Sequence, residues 1–172
     1  MATTQSLLSI DEYLRTSYHP DADYVDGEIE ERNLGKYEHA RLQWLIGLFF
    51  GNQEKLWGIQ GVTEQRIRCA QSRIRVCDLA LLHANAPRED VTETPPLLCI
   101  EIMSPEDRIP RVKLVLADYL AMGVPNIWLI DPIRRAAFTF DATGLHEADP
   151  TRLTIPNTPI HLDLTEAFAA LD

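Results

Sequence analysis

The chain has 172 residues, of which 45% are hydrophobic and 24% charged, and its formal net charge is −10. This size and composition are typical of one globular domain with enough apolar material for one core, and they predict a single domain over residues 1–172. The acidic balance excludes a protein that coats nucleic acid through a large basic surface, although a local basic cleft on an acidic body stays open. No stretch approaches the roughly eighteen apolar residues of a membrane span.

The N-terminal part of the chain predicts a short helix, a hairpin and a long helix. The sequence SIDEYL fits a capping box in which Ser9 is the N-cap. The segment YVDGEIEER contains Asp26 and Gly27, a pair that accepts positive φ, and it predicts a tight hairpin. Apolar residues then recur on one helical stripe over residues 42–50, which predicts an amphipathic helix.

The rest of the chain predicts an α/β fold. Five segments are typical of strands: VTEQRIRC, RIRVCDLALLH, PLLCIEIM, NIWLIDP and AAFTF. The third and fourth are nearly continuous apolar runs, as expected of strands that are covered on both faces. Between them lies a helical pattern that ends at Gly123, so we expect a βαβ crossover with two parallel strands. The tail predicts short extended pieces and a last helix, LTEAFAALD.

The cysteines and tryptophans are predicted to be structural residues of the core. Cys69, Cys77 and Cys99 are odd in number, have no Cys-x-x-Cys spacing and lie in predicted strands. They are therefore expected to be buried reduced thiols, which favours a cytoplasmic location. The five histidines have no zinc-type spacing. The three tryptophans are predicted to be packing residues: Trp44, Trp57 and Trp128.

Two acidic residues interrupt predicted core strands. Asp78 lies inside RIRVCDLALLH and Glu101 inside LLCIEIMSP. Strand alternation predicts that Asp78 shares one face with Ile74, Val76 and Ala80. An isolated buried carboxylate costs several kcal/mol unless it is paired or binds a metal, and two neighbouring ones raise each other's pKa. A divalent cation removes this penalty, and hard oxygen ligands suit Mg²⁺ or Mn²⁺.

Lys113 is the candidate cationic partner of these carboxylates. It lies in the helix that follows the Glu101 strand, and this helix must fold back over the sheet. Lys113 would then orient a water nucleophile or stabilise charge on a phosphate oxygen. Ion pairs with strand arginines are the alternative explanation of the two acids, and the candidates are Arg66, Arg68, Arg73 and Arg75.

Several segments in this order resemble the Uma-type restriction endonuclease family, which belongs to the PD-(D/E)XK nuclease superfamily. They are RIRVCD, EIMSP, KLVLADY and GVPNIWLIDP, together with SIDEYL and YVDGEI near the N-terminus. The resemblance extends from about Ser9 to Phe140. It implies a restriction-endonuclease-like fold with a central mixed β-sheet flanked by α-helices. It also implies Mg²⁺- or Mn²⁺-dependent hydrolysis of DNA and a homodimer, to whose interface the apolar GVPNIWLI segment and the Pro-rich tail would contribute.

The resemblance also implies functions for individual residues. Asp78 and Glu101 would be catalytic metal ligands, and the backbone carbonyl of Ile102 a further ligand. Glu28 matches an additional acid that is often present in the family, with a solvated hairpin charge as the alternative. Arg108, in the loop after EIMSP, is a candidate phosphate contact, with a solvated arginine as the alternative.

The chain departs from the superfamily pattern at two positions. Cys77 replaces the proline before the first acid, a position that mainly shapes the strand. Met103 stands two residues after Glu101, where the motif has lysine, so the resemblance suggests that Lys113 supplies this charge from the helix. Two functions stay open: a metal-dependent DNA endonuclease, and a catalytically inactive nuclease-fold protein for binding or assembly, which Met103 and the acidic charge favour.

Overall fold

The computed structural model describes residues 7–172, so the first six residues of the predicted domain lie outside the described residues. This part of the chain has a central eight-stranded sheet, a small two-stranded sheet and four helices. The helices are α1 (Ile10–Leu14), α2 (Tyr37–Trp57), α3 (Ile109–Met122) and α4 (Thr165–Ala169). The central strands are β1 (Asp23–Val25), β2 (Glu28–Glu30), β3 (Ile59–Ala70), β4 (Arg73–His83), β5 (Leu98–Ile102), β6 (Ile127–Asp131), β7 (Ala136–Asp141) and β8 (Gly144–Ala148). The small sheet pairs β9 (Leu153–Thr154) with β10 (His161–Leu162).

Local sequence signals account for several element ends. The Ser9 hydroxyl caps α1 by accepting a hydrogen bond from the Glu12 N–H at 3.2 Å. The predicted hairpin joins β1 to β2, and its turn residues Asp26 and Gly27 have φ values of 50° and 96°. The helix α3 ends before Gly123, which adopts the left-handed conformation at φ 100° because it has no Cβ to clash there.

The topology confirms the predicted α/β fold with a central mixed sheet. The strand order is β2-β1-β4-β5-β6-β7-β8, and β3 pairs with β4 as well. Strands β5 and β6 are parallel and α3 joins them, as predicted, while the other pairs of this sheet are antiparallel.

Strand β4 is the centre of this arrangement because both of its edges are paired. Strand β3 covers one edge along most of its length. Strands β1 and β5 share the other edge: β1 pairs with Arg73 and Ile74, and β5 pairs with residues 79–81. Asp78 therefore lies at the fork where β1 and β5 separate.

Strict alternation along β4 is broken at this fork, and the prediction that Ile74 and Ala80 share one face is wrong. Ile74 packs in the cluster around α1, whereas Ala80 and Cys77 pack on the α3 side of the sheet. Cys77 and Ala80 are three residues apart, and residues at this spacing share a face only where the strand is irregular. The irregularity coincides with Glu64 on β3, opposite Asp78, whose φ of 51° is unusual for a residue with a side chain.

The two faces of the sheet are covered by α2 and α3. Helix α2 buries Leu42, Ile46 and Phe50 against one face, and α3 buries Leu116 and Tyr119 against the other. All three cysteines are free and buried, as predicted: Cys69, Cys77 and Cys99.

Two predictions about surfaces are corrected by the packing. Trp128 is a core residue as predicted, but Trp44 on α2 is 63% exposed, so it is not a packing residue. Strand β6 is buried along its whole length because strands pair with both of its edges and core clusters cover both of its faces, so this part of the GVPNIWLI segment is not offered to a dimer partner. Among residues 7–172 no helix combines the length and apolar character that a membrane crossing requires.

Candidate active site

Asp78 is a buried carboxylate with three partners. The residue is 2% exposed, and Arg32 Nη2 donates to its Oδ1 at 2.6 Å. Its Oδ2 accepts the Ile102 N–H at 2.8 Å and lies 3.2 Å from His39 Nε2. Burial by itself raises the pKa of Asp78, but His39, Arg32 and the Ile102 amide together outweigh burial and hold the pKa below its usual value. Asp78 is therefore ionised and compensated.

Glu101 is in the opposite situation. Its Oε1 accepts a hydrogen bond from the Tyr119 hydroxyl at 2.6 Å, and within residues 7–172 it has no ion-pair partner. Burial, together with the negative charge of Asp78, raises the pKa of Glu101 well above its usual range. The second carboxylate of the pair is thus the one that lacks a cation.

Residues outside the predicted set hold Asp78 in place. Arg32, in the loop between β2 and α2, pairs with Asp78 through one nitrogen and with Glu64 through the other. The Gln43 side-chain amide donates to Glu64 Oε1 at 2.7 Å and to the Asp78 carbonyl at 2.8 Å. Sequence reasoning missed this set. The one available signal was the spacing of His39 and Gln43, four residues apart on one side of α2.

Asp78 and Glu101 line one polar cavity of about 70 Å³. Its wall also includes Arg32, His39 and Arg111. A cavity needs only about 10–15 Å³ to hold one water molecule, so this one has room for a small ion together with water.

The structure brings only part of the predicted set together. Asp78, Glu101 and Ile102 all line the cavity. Lys113 is exposed on α3, and within the described chain it has neither a cavity position nor an ion pair. Arg108, the residue before α3, and Glu28, in the hairpin, are also exposed and lie outside the cavity wall. The catalytic functions of Lys113 and Glu28 and the substrate contact of Arg108 stay predictions.

The strand arginines that were the alternative explanation pair with other acids. Arg66 binds Asp21 and Arg68 approaches Glu93. Arg73 binds Asp26 and Asp118. Arg75 is buried and binds three carboxylates: Asp23, Glu30 and Asp118. Asp78 does pair with an arginine, but that arginine is Arg32.

The donor set of the cavity fits a hard divalent cation. Among the described residues no group of three or more His, Cys, Asp or Glu side chains has the arrangement of a metal site. The predicted set, however, contains two carboxylates and the Ile102 carbonyl, all of them oxygen donors of the kind that Mg²⁺ and Mn²⁺ prefer. Such an ion would compensate the charge of Glu101, which has no ion-pair partner among residues 7–172. Arg32 would have to release Asp78 Oδ1 for that oxygen to become a ligand.

A mixed sheet flanked by helices, with a carboxylate pair at the fork of its central strand, defines an α/β protein of the restriction-endonuclease type. The chain belongs to the Uma2 family, described as "Putative restriction endonuclease", whose model matches residues 10–169.

A solved structure has the same fold. It is the crystal structure of a putative nuclease belonging to DUF820 from Anabaena variabilis ATCC 29413, with a TM-score of 0.84 and 21% sequence identity. The match covers 96% of this chain and 99% of that chain. No curated protein matches the chain at a significant level.

Proposed function

We propose that this protein is a metal-dependent endonuclease that hydrolyses phosphodiester bonds of DNA. The observation that carries the proposal is the unequal pair of carboxylates in one cavity. Asp78 has a guanidinium partner, whereas Glu101, which is half-buried in the wall of the same cavity, has none among the described residues. A divalent cation would balance this second charge, and the family membership supports nuclease chemistry.

In this proposal Asp78, Glu101 and the Ile102 carbonyl hold Mg²⁺ or Mn²⁺. The bound ion would activate a water molecule and neutralise charge on the scissile phosphate. Tyr119 fixes Oε1 of Glu101 through its hydrogen bond, which would leave Oε2 to bind the ion. His39 and the Ile102 amide hold Oδ2 of Asp78, which leaves Oδ1 as the oxygen that changes partner.

The cavity size also restricts how a substrate approaches. The cavity is small, so the scissile strand would lie across its open side and present one phosphate group to the carboxylates. Arg111 also lines the cavity and its side chain is half exposed, so its cation would favour a phosphate backbone despite the acidic body. The reaction adds water to phosphorus and breaks one ester bond, so that a phosphate and a hydroxyl end result.

A homodimer is part of the proposal, because a two-fold pair places two sites across two strands. Sedimentation equilibrium with and without a DNA duplex tests it. A chain that stays monomeric in both conditions contradicts this part of the proposal and leaves single-strand cleavage intact.

The second candidate is a catalytically inactive nuclease-fold protein that binds or assembles. The observation that favours it is the pairing of Arg32 with Asp78, together with the exposed position of Lys113. In that case the guanidinium serves as the permanent counter-charge of Asp78.

A cleavage assay separates the two candidates. Purified protein is incubated with supercoiled plasmid and with single-stranded DNA, in Mg²⁺, in Mn²⁺ and with chelator. We expect cleavage with the metals only, and none by Asp78→Asn, while the exposed control Asp149→Asn cleaves like the wild type. If calorimetry shows no metal binding and no DNA form is cut, the inactive alternative holds.

A further inference from the structure

Arg32 belongs to the walls of two cavities. Its side chain is 18% exposed. It lines the carboxylate cavity and also a neighbouring groove of about 900 Å³. Asn33 lines both cavities as well. A strand that follows the groove into the cavity would therefore pass Arg32 at the entrance.

Neither the motif position of the catalytic lysine nor Lys113 supplies a cation to the carboxylates. Met103 occupies the motif position of the lysine, is partly buried and packs against the α3 side of the core. Lys113 is exposed. Arg32 Nη2, in contrast, lies 2.6 Å from Asp78 Oδ1, and its charge also acts on Glu101.

We propose that Arg32 is the phosphate-binding catalytic cation of this site, an inference that rests on the proposed nuclease function. In the resting protein its guanidinium caps Asp78. When substrate binds, Nη2 leaves Asp78 Oδ1 and donates to a non-bridging oxygen of the scissile phosphate. No covalent bond changes in this step, because one charge-assisted hydrogen bond replaces another.

The contacts of Arg32 explain how Nη2 can change its partner while Nη1 keeps its own. Glu64 holds Nη1, and Gln43 in turn holds Glu64 at 2.7 Å. Glu64 has the unusual φ of 51° in the interior of β3, where such strain is typical of positions with a function. The planar guanidinium presents several N–H groups in a fixed fork, so Nη2 can turn to a phosphate while Nη1 stays on Glu64.

This function makes Arg32 a competitor of any divalent cation for Asp78. Removal of the guanidinium frees Oδ1, so the carboxylate pair should bind a cation more tightly. The loss of one competing charge-assisted hydrogen bond corresponds to about tenfold in affinity. Cleavage should fall at the same time, because the phosphate loses its arginine. A purely structural ion pair would not give these opposite changes.

The experiment compares Arg32→Gln and Arg32→Lys with the exposed control Arg88→Gln. The dissociation constant of Mn²⁺ is measured by calorimetry without DNA, and single-turnover cleavage of plasmid is measured with saturating Mn²⁺. We expect Arg32→Gln to bind Mn²⁺ about tenfold more tightly and to cleave at least about 100-fold more slowly. Arg32→Lys should recover part of the rate, and Arg88→Gln should match the wild type.

Folding of each variant is checked by near-UV circular dichroism, and Arg32→Lys keeps the test valid if Arg32→Gln does not fold. Mn²⁺ binding that weakens together with cleavage, in a folded variant, would overturn the inference, since Arg32 would then support the carboxylates. If the wild type neither binds Mn²⁺ nor cleaves, the proposed function fails and this inference fails with it. If the wild type does both and Arg32→Gln behaves like Arg88→Gln, only this inference fails.

Discussion

Replacement of Glu101 by glutamine should stabilise the protein in the absence of metal. The amide has nearly the same shape, and its oxygen can still accept the Tyr119 hydroxyl that now lies 2.6 Å from Oε1. The substitution removes a charge that burial and Asp78 both disfavour. Glu101 is half-buried, and a charge in such a position without a cation costs about 2 kcal/mol, which corresponds to a rise of about 4–8 °C in Tm for a chain of this size.

The pH dependence of this difference has a definite sign. Because the pKa of Glu101 is raised in the folded state, the native protein holds its proton where the unfolded chain, with a pKa of about 4.3, has lost it. Wild-type stability therefore falls relative to Glu101→Gln as pH rises from about 4 to the raised pKa, and the difference is constant above it. Below pH 4 the two proteins should melt alike.

Thermal unfolding with and without Mn²⁺ tests the prediction, with the exposed Glu147→Gln as the matched control. At about 100 times the dissociation constant, a bound ion stabilises the wild type by about 2.7 kcal/mol, whereas Glu101→Gln should gain nothing. The advantage of the variant in chelator should therefore disappear with metal. A variant that melts below the wild type in chelator at pH 7 would refute the view that Glu101 is an uncompensated charge.

Three further predictions follow from the same contacts. Asp78→Asn should abolish cleavage and lower Tm by several degrees, because Arg32 loses a buried partner at a cost of about 3 kcal/mol; calorimetric unfolding and a plasmid assay measure both effects. Tyr119→Phe should weaken Mn²⁺ binding about tenfold without changing its stoichiometry, because Glu101 loses the bond that orients it; an unchanged dissociation constant in calorimetry would contradict this function. Lys113→Ala should cleave within about threefold of the wild-type rate if Arg32 supplies the cation, whereas a loss of about 100-fold would assign that function to Lys113.

Elements with strong local signals could be predicted from the sequence. The Asp26-Gly27 turn required positive φ at both positions, and the apolar runs around α3 required a buried parallel pair. Strand β8 could not be read in the same way. Its residues Gly144–Ala148 are largely exposed or half-buried, so burial imposes no regular apolar pattern on them.

The carboxylate site was predictable in part, because acids inside apolar strands are conspicuous. Its other members come from segments without such a contrast. Arg32 lies in a loop 46 positions before Asp78, and no periodicity links the two. Lys113 illustrates a different limit. It is next to Val112, which lines the cavity, yet one helical step of about 100° turns Lys113 to solvent.

The acids around Arg75 and the pair of Asp78 and Glu101 differ in one respect, which is whether every carboxylate has a cationic partner. Around Arg75, the carboxylates of Asp23, Glu30 and Asp118 share one buried guanidinium and join β1, β2 and α3 to β4. Each of these acids has a cationic hydrogen-bond partner, so packing and stability explain their positions.

Glu101 has no such explanation. Within the described part of the chain its side chain has one hydrogen bond, from the Tyr119 hydroxyl, and a neutral amide would accept that bond without the cost of a charge. An apolar side chain of similar volume at a buried ionic position is often neutral or stabilising. Stability therefore gives no reason for an acid at this position, whereas a cation that both Glu101 and Asp78 contact would give one. If glutamine at position 101 proves less stable than glutamate without metal, this reason disappears and the inactive alternative becomes the better account.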